Sequence, residues 1–170
     1  MVILYIATTL DGFIADEQGG VGWIPPAPDG EDFGYNEFYA SCSHTFQGGN
    51  TYRQVLTFGE WPYASTHNVV VSKTATAAHP TVEVVNQNPM EKLRQLRAIA
   101  EKHVWLIGGG DLNGRALGAG LIEEVWQFVM PVNLGRGIPL FGNHKAVERP
   151  VEILERRVLP GGGFFVKYRP

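Results

Sequence analysis

The sequence predicts a three-layer α/β/α fold around a mostly parallel central sheet with an antiparallel C-terminal edge. Two observations carry this. Short continuous apolar runs, at residues 2–7, 69–71 and 104–107, read as buried strands, residues 125–130 read as a further strand, and segments with helical spacing separate them. The last two segments, 151–159 and 164–169, are joined by Pro160-Gly161-Gly162-Gly163, the pattern of an antiparallel hairpin at a sheet edge.

The elements follow in order. Residues 2–7 form a central strand, ended by Asp11-Gly12 and followed by Phe13-Ile14-Ala15. Residues 16–30 form a Gly/Pro/Asp-rich loop holding Trp23 and Ile24, and a loop of this length is often functional. Tyr35, Phe38, Tyr39 and Cys42 fall on one helix face, with the helix starting near Asp32. A strand at 44–47 runs into Gly48-Gly49-Asn50-Thr51 and a helix bearing Tyr52, Val55 and Leu56. A loop at 58–67 leads to the strand 69–71, ending at Ser72-Lys73-Thr74, and 82–85 is a further short strand. Asn88-Pro89-Met90-Glu91 starts a helix, with Asn as cap, Pro in the first turn and Glu three residues on. Leu93, Leu96 and Ile99-Ala100 are expected to give that helix its buried face. The strand 104–107 then meets Gly108-Gly109-Gly110, and a helix spans about 111–117. A strand at 125–130 and a glycine-containing loop at 131–142 precede the hairpin.

The 170 residues suit one domain, 1–170, with 44% apolar and 18% charged residues typical of a soluble globular protein. A net charge of -3 gives no electrostatic reason to expect a nucleic-acid partner. No apolar run reaches the roughly 20 residues of a membrane helix, so no membrane partner is expected. The first residues lack a basic region and read as a strand, not a signal peptide. The single cysteine, Cys42, makes no internal disulfide, which fits a cytoplasmic protein. The five histidines show no metal-ligand spacing, so no metal is expected.

Two strand–glycine–helix units stand out, at 47–51 and 107–111. In a parallel sheet both helix starts lie on the edge where open α/β sheets bind ligands, and free N–H groups there favour anions. The glycines either permit tight turns or grip phosphates from two sides. They do not spell the dinucleotide fingerprint, because Asn113 stands where the third glycine belongs. Ser72-Lys73-Thr74 ends a strand on the same edge, and a lysine with hydroxyls suits a phosphate monoester. Asp11 either makes a turn or contacts substrate, and Asp32 either caps a helix or relays a proton. Trp23, Phe33 and Phe38 either line a pocket for a flat heterocycle or belong to the core. Glu123-Glu124 read as solvated or as a subunit contact.

Several motifs resemble one family. Thr9-Leu10-Asp11-Gly12-Phe13-Ile14-Ala15 is similar to the N-terminal motif of the reductase domain of bifunctional riboflavin-biosynthesis deaminase/reductases. Residues 48–52 resemble the Gly-Arg-Lys-Thr-Tyr segment of stand-alone relatives, and 104–112 the Ile-Gly-Gly-Gly-x-Leu segment. Residues 119–124 and 131–141 resemble the C-terminal signature. The resemblance implies the dihydrofolate-reductase-like fold, an eight-stranded sheet flanked by helices. It also implies a homodimer and an NADPH-dependent oxidoreductase, active on a ribosylated aminopyrimidine or related N-heterocycle. By the same resemblance Ile107, Gly108, Gly109, Gly110, Asp111 and Leu112 would hold the cofactor pyrophosphate. Gly48, Gly49, Asn50 and Thr51 would hold its phosphate side, and Ser72 and Lys73 the 2′-phosphate. Ala7, Ile14 and Ala15 would flank the nicotinamide, and Asp32 falls near the substrate carboxylate of dihydrofolate reductase. Gly49 and Asn50 replace the usual Arg and Lys, which leaves Lys73 as the main cation and admits NADH beside NADPH. No zinc-deaminase motif (His-x-Glu with Pro-Cys-x-x-Cys) occurs. Two further readings stay open: a pterin reductase, which needs a buried carboxylate such as Asp32 facing the ring, and a non-catalytic nucleotide-binding dimer.

Overall fold

The computed structural model describes residues 1–28, 30–144, 148 and 150–170. Strand β1 (Val2–Thr9) is followed by the short β2 (Phe13–Ala15), α1 (Tyr35–Ala40), β3 (Cys42–Gly48) and α2 (Gly49–Val55). A single 3-10 turn (Leu56–Phe58) leads to β4 (His67–Val71) and β5 (Val82–Val85). Then come α3 (Pro89–Ile99), β6 (His103–Gly108), α4 (Gly110–Gly118) and β7 (Glu124–Met130). The chain closes with β8 (Ile138–Pro139), β9 (Glu152–Val158) and β10 (Phe164–Arg169).

Eight strands form one sheet in the order β5-β4-β3-β6-β1-β7-β10-β9. The first six run parallel, and β10 pairs antiparallel with both β7 and β9. This is the dihydrofolate-reductase-like arrangement that the sequence implied. Strand alternation sorts side chains between the two faces. Val2, Leu4, Val104 and Leu106 meet Leu93 and Leu96 of α3 and Leu112 and Ala116 of α4. Ile3 and Trp105 face the other way, toward Phe38 of α1 and Val55 of α2. Cys42 joins that second cluster as a buried free thiol.

Five local expectations are revised. Ile99, the last residue of α3, is 70% exposed, so Leu93 and Leu96 carry the buried face of that helix. Tyr5, Ile6 and Ala7 of the central strand are only half-buried, because a cleft opens over the second half of β1. The first helix starts at Tyr35, three residues after Asp32, because Phe33 and Gly34 have φ of 55° and 82° and break the helical path. Asn88 stands before α3 but caps nothing with its side chain. It is left-handed (φ 47°), and its carbonyl accepts the N–H groups of Glu91 and Lys92. Glu124 is buried rather than solvated. The antiparallel pairing of β10 with β7 brings Lys167 to 3.1 Å from its carboxylate, and the Trp126 indole donates to it at 2.9 Å.

Candidate active-site cleft

Parallel strands end together, so the turns after β1, β3, β4 and β6 share one edge of the sheet. A cleft of about 1300 Å³ opens there. That exceeds the roughly 300–1,000 Å³ of an ordinary single-ligand pocket. The register of β3 on β6 sets Gln47 opposite Gly108, so the two strand–glycine–helix turns stand side by side. A Cβ on Gly48 would lie 3.7 Å from the Gly108 carbonyl oxygen, and one on Gly109 would lie 3.5 Å from Thr51 Oγ1. A Cβ at either glycine would be in ordinary contact with the other turn, so the two turns pack closely. The Gly108–Gly109 peptide is cis.

The two helix starts are not equivalent. Helix α4 has nine residues, and its first backbone bond runs from the Asn113 N–H to the Gly109 carbonyl at 3.0 Å. The amides of Gly110, Asp111 and Leu112 precede that bond and have no helical acceptor. A Cβ on Gly110 would strike the Pro139 carbonyl oxygen and stand 3.0 Å from the Gly142 nitrogen, so only glycine fits. The exposed Asp111 carboxylate stays at this helix start, 3.1 Å from His144 Nε2 and 3.9 Å from Arg115 Nη1. The Arg115 guanidinium offsets part of an acid that would otherwise compete with an incoming anion. Helix α2 has only seven residues, under two turns. It contributes Thr51, Asn50 and backbone surface instead of a second dipole, which narrows the expected two-helix grip to one helix start with side chains opposite.

The structure brings nearly all of the expected cofactor residues to this one cleft. Gly48, Gly49, Asn50 and Thr51 line it from α2, and Ser72 and Lys73 from the end of β4. Ile107, Gly109, Gly110, Asp111 and Leu112 line it from β6 and α4, and Ala7, Ile14 and Ala15 from β1 and β2. Gly108 (φ 116°) lies one layer back, its Cα turned to the Asn113 side chain.

Five other expected residues are not brought there. Asp11 accepts the Thr9 hydroxyl at 2.6 Å and the N–H groups of Leu134 and Gly135 at 3.1 and 2.7 Å. The Thr9 hydroxyl, more than the backbone donors, holds its carboxyl below the usual range. It therefore braces the β1 turn against the loop after β7. Asp32 is exposed and accepts the N–H groups of Gly34 and Asn36 at 2.8 and 3.1 Å, so its oxygens bond the backbone at the start of α1. That geometry removes the buried carboxylate a pterin site needs. Phe38 is 2% exposed and stacks on Tyr5 at 4.2 Å between ring centroids. Trp23 and Phe33 pack on the cluster of Phe128, Met130, Leu159 and Phe165. Both are half-buried at the margin of that cluster.

Sequence reasoning passed over Tyr5, Trp105, Arg53 and Arg115, all of which line the cleft. Tyr5 and Trp105 sit inside apolar strand runs, where the cleft has no sequence signature. Burial, and then the negative charge of Asp32, raises the Tyr5 phenol well above its usual range, so it stays neutral. Arg53 follows the glycine unit by one helical turn, a spacing that would have flagged it. The loop at residues 17–21 also lines the cleft, and Gln54 Nε2 donates to its Gly19 carbonyl at 2.6 Å. Among the described residues no group of His, Cys, Asp and Glu is arranged to hold a metal ion, and no helix is long and apolar enough to cross a membrane.

A family model described as the RibD C-terminal domain matches residues 1–159. The chain is 31% identical over 141 residues to the uncharacterized protein YwjB of Bacillus subtilis (strain 168), spanning 82% of this chain and 81% of the relative. A second protein of that organism, uncharacterized YyaP, is 30% identical over 152 residues, spanning 82% and 79%. Among solved structures, a Shewanella sp. PV-4 protein assigned provisionally to riboflavin biosynthesis superposes with a TM-score of 0.86 at 28% identity, covering 99% of this chain and 97% of that one. A Thermotoga maritima protein described as diaminohydroxyphosphoribosylaminopyrimidine deaminase/5-amino-6-(5-phosphoribosylamino)uracil reductase has the same fold. Its TM-score is 0.74 at 22% identity, over 100% of this chain and 56% of that longer one.

Proposed function

The chain belongs to the RibD C-terminal domain family, and from that premise we propose that it is an NADPH-dependent reductase of a ribosylated aminopyrimidine or related N-heterocycle. The observation that carries this reading is the single cleft lined at once by both glycine turns, the start of α4 and Ser72-Lys73. Glycine there lets a ligand lie close to the backbone. The residues suit a dinucleotide along the cleft. The amides of Gly110, Asp111 and Leu112, with Thr51 Oγ1 opposite, offer donors to a pyrophosphate. Ser72 and Lys73 offer a hydroxyl and a cation to a ribose phosphate.

A bound dihydronicotinamide supplies a hydride equivalent to the second ligand. The protein contributes position: Ala7, Ile14 and Ala15 are half-buried to buried, small or branched, and leave a flat apolar wall beside β1. Tyr5 and Trp105 extend that wall, and the neutral Tyr5 phenol offers a hydrogen-bond donor to the ring being reduced. The experiment is binding of NADPH and NADH to the purified chain, followed by loss of dihydronicotinamide absorbance with a ribosylated aminopyrimidine. Binding of neither cofactor overturns the reading. Binding without oxidation, across a panel of N-heterocycles, favours the non-catalytic nucleotide-binding alternative.

The reading includes a cytoplasmic homodimer. What supports the dimer is the outer strand pair, where Ile153, Val158 and Phe164 are 53%, 80% and 41% exposed on one sheet face. A monomeric mass by sedimentation at micromolar concentration removes that part of the reading.

A further inference from the structure

We propose that Arg53 is the cation that selects a phosphomonoester in this cleft, replacing charge that positions 49 and 50 no longer carry. The inference deepens the dinucleotide reading above and rests on it. Gly49 cannot regain a side chain where it stands. A Cβ there would lie 2.7 Å from Ser72 Oγ and 2.9 Å from Ser72 Cβ, below any normal contact. Ser72 thus occupies the space a cationic side chain at 49 would need. Asn50 is neutral. Yet a guanidinium returns to the same place from one turn along α2. Arg53 Nη1 lies 3.4 Å from the position of that missing Cβ, and Arg53 Nη2 donates to Asn50 Oδ1. The i,i+3 spacing of 50 and 53 holds the fork over the first turn of the helix.

Arg53 and Ser72 meet at this corner, and Lys73 lines the same cleft. Ser72 Oγ accepts the N–H groups of Thr74 and Ala75 at 3.2 and 3.0 Å, which leaves its own O–H to donate toward the cleft. Lys73 is the next residue and lines the same cleft. Neither Arg53 nor Lys73 forms an ion pair with a carboxylate among the described residues. A planar guanidinium beside a hydroxyl and an ammonium matches a doubly charged phosphomonoester better than a neutral sugar hydroxyl. In a nicotinamide dinucleotide that group is the phosphate on the adenosine ribose, so the site selects NADPH over NADH.

The test measures dissociation constants of NADPH, NADH, adenosine 2′-monophosphate and adenosine for the full chain and for Arg53→Gln and Arg53→Lys. Arg53 is exposed, so Arg53→Gln keeps its melting temperature, which is checked in parallel. Arg53→Gln should weaken NADPH and adenosine 2′-monophosphate about tenfold, the scale of one charge-assisted hydrogen bond. NADH and adenosine should stay within about twofold, and Arg53→Lys should recover part of the loss without the bidentate geometry. Equal weakening of NADPH and NADH, or no change in either, overturns the inference while leaving the dinucleotide reading intact. A wild-type chain that binds neither dinucleotide overturns both.

Discussion

Asp11 accepts the backbone N–H of Gly135 at 2.7 Å across 124 positions of sequence, and this bond joins the turn after β1 to the loop after β7. The same carboxylate takes the Thr9 hydroxyl and the Leu134 N–H, so three donors from two segments converge on it.

Replacing Asp11 with Asn should therefore lower the melting temperature and leave turnover per folded molecule unchanged. The pH dependence has a definite sign. The folded carboxyl titrates below its unfolded value of about 3.9, chiefly because of the Thr9 hydroxyl. Its contribution is present above that unfolded value and is lost as pH falls through the folded one. Thermal melts from neutral pH to below about pH 3 should show a smaller acid-dependent loss in Asp11→Asn than in wild type. A fall in turnover with unchanged stability would reverse the assignment.

Gly49 and Ser72 should behave as a coupled pair. Gly49→Ala places a Cβ 2.7 Å from Ser72 Oγ, and such overpacking costs about 1–3 kcal/mol. Ser72→Gly opens that space, so the double variant should recover most of the loss. A double-mutant cycle by chemical denaturation should give a coupling of at least about 0.5 kcal/mol. Additive effects would show that the backbone shifts to relieve the contact.

Lys73 is the second cation at this corner. Lys73→Glu should raise the dissociation constant for NADPH at least about tenfold, through lost attraction and added repulsion. NADH should change by less than about twofold, since it carries no phosphate for this corner. Titration by intrinsic fluorescence separates the two, and equal loss for both cofactors would refute a phosphate-specific role.

Glu124 is 5% exposed and depends on two donors. Burial raises its carboxyl, but the Trp126 indole and the Lys167 ammonium outweigh that and hold it below the usual value. Lys167 also lies 4.4 Å from the Trp126 ring centroid. Lys167→Met should cost about 1–3 kcal/mol in denaturant unfolding, because it leaves a buried carboxylate short of a partner. Glu124→Gln/Lys167→Met should cost less than Lys167→Met alone. The loss should be full near neutral pH and fade as pH falls through the folded Glu124 value.

The sequence by itself determined the strands and their mostly parallel sheet. Runs such as 104–107 and 125–130 are too short for buried helices and too apolar for exposed strands, so one structure satisfies them. It also marked the edge where the cleft lies, because glycine between an apolar strand and a helix allows a sharp turn, and the two such units stand side by side there. The tertiary structure decided what the polar and aromatic residues do. A carboxylate before a glycine reads alike whether it braces a loop or touches substrate, and Asp11 was settled by amides from positions 134 and 135. Asp32 was settled by the break at Phe33 and Gly34, and Phe38 by stacking on Tyr5. Arg53 and Ser72 became neighbours only when β3 and β4 set Ser72 against Gly49. Local sequence fixes backbone preference and periodicity, but the partner of a polar side chain comes from distant segments, and only packing brings those segments together.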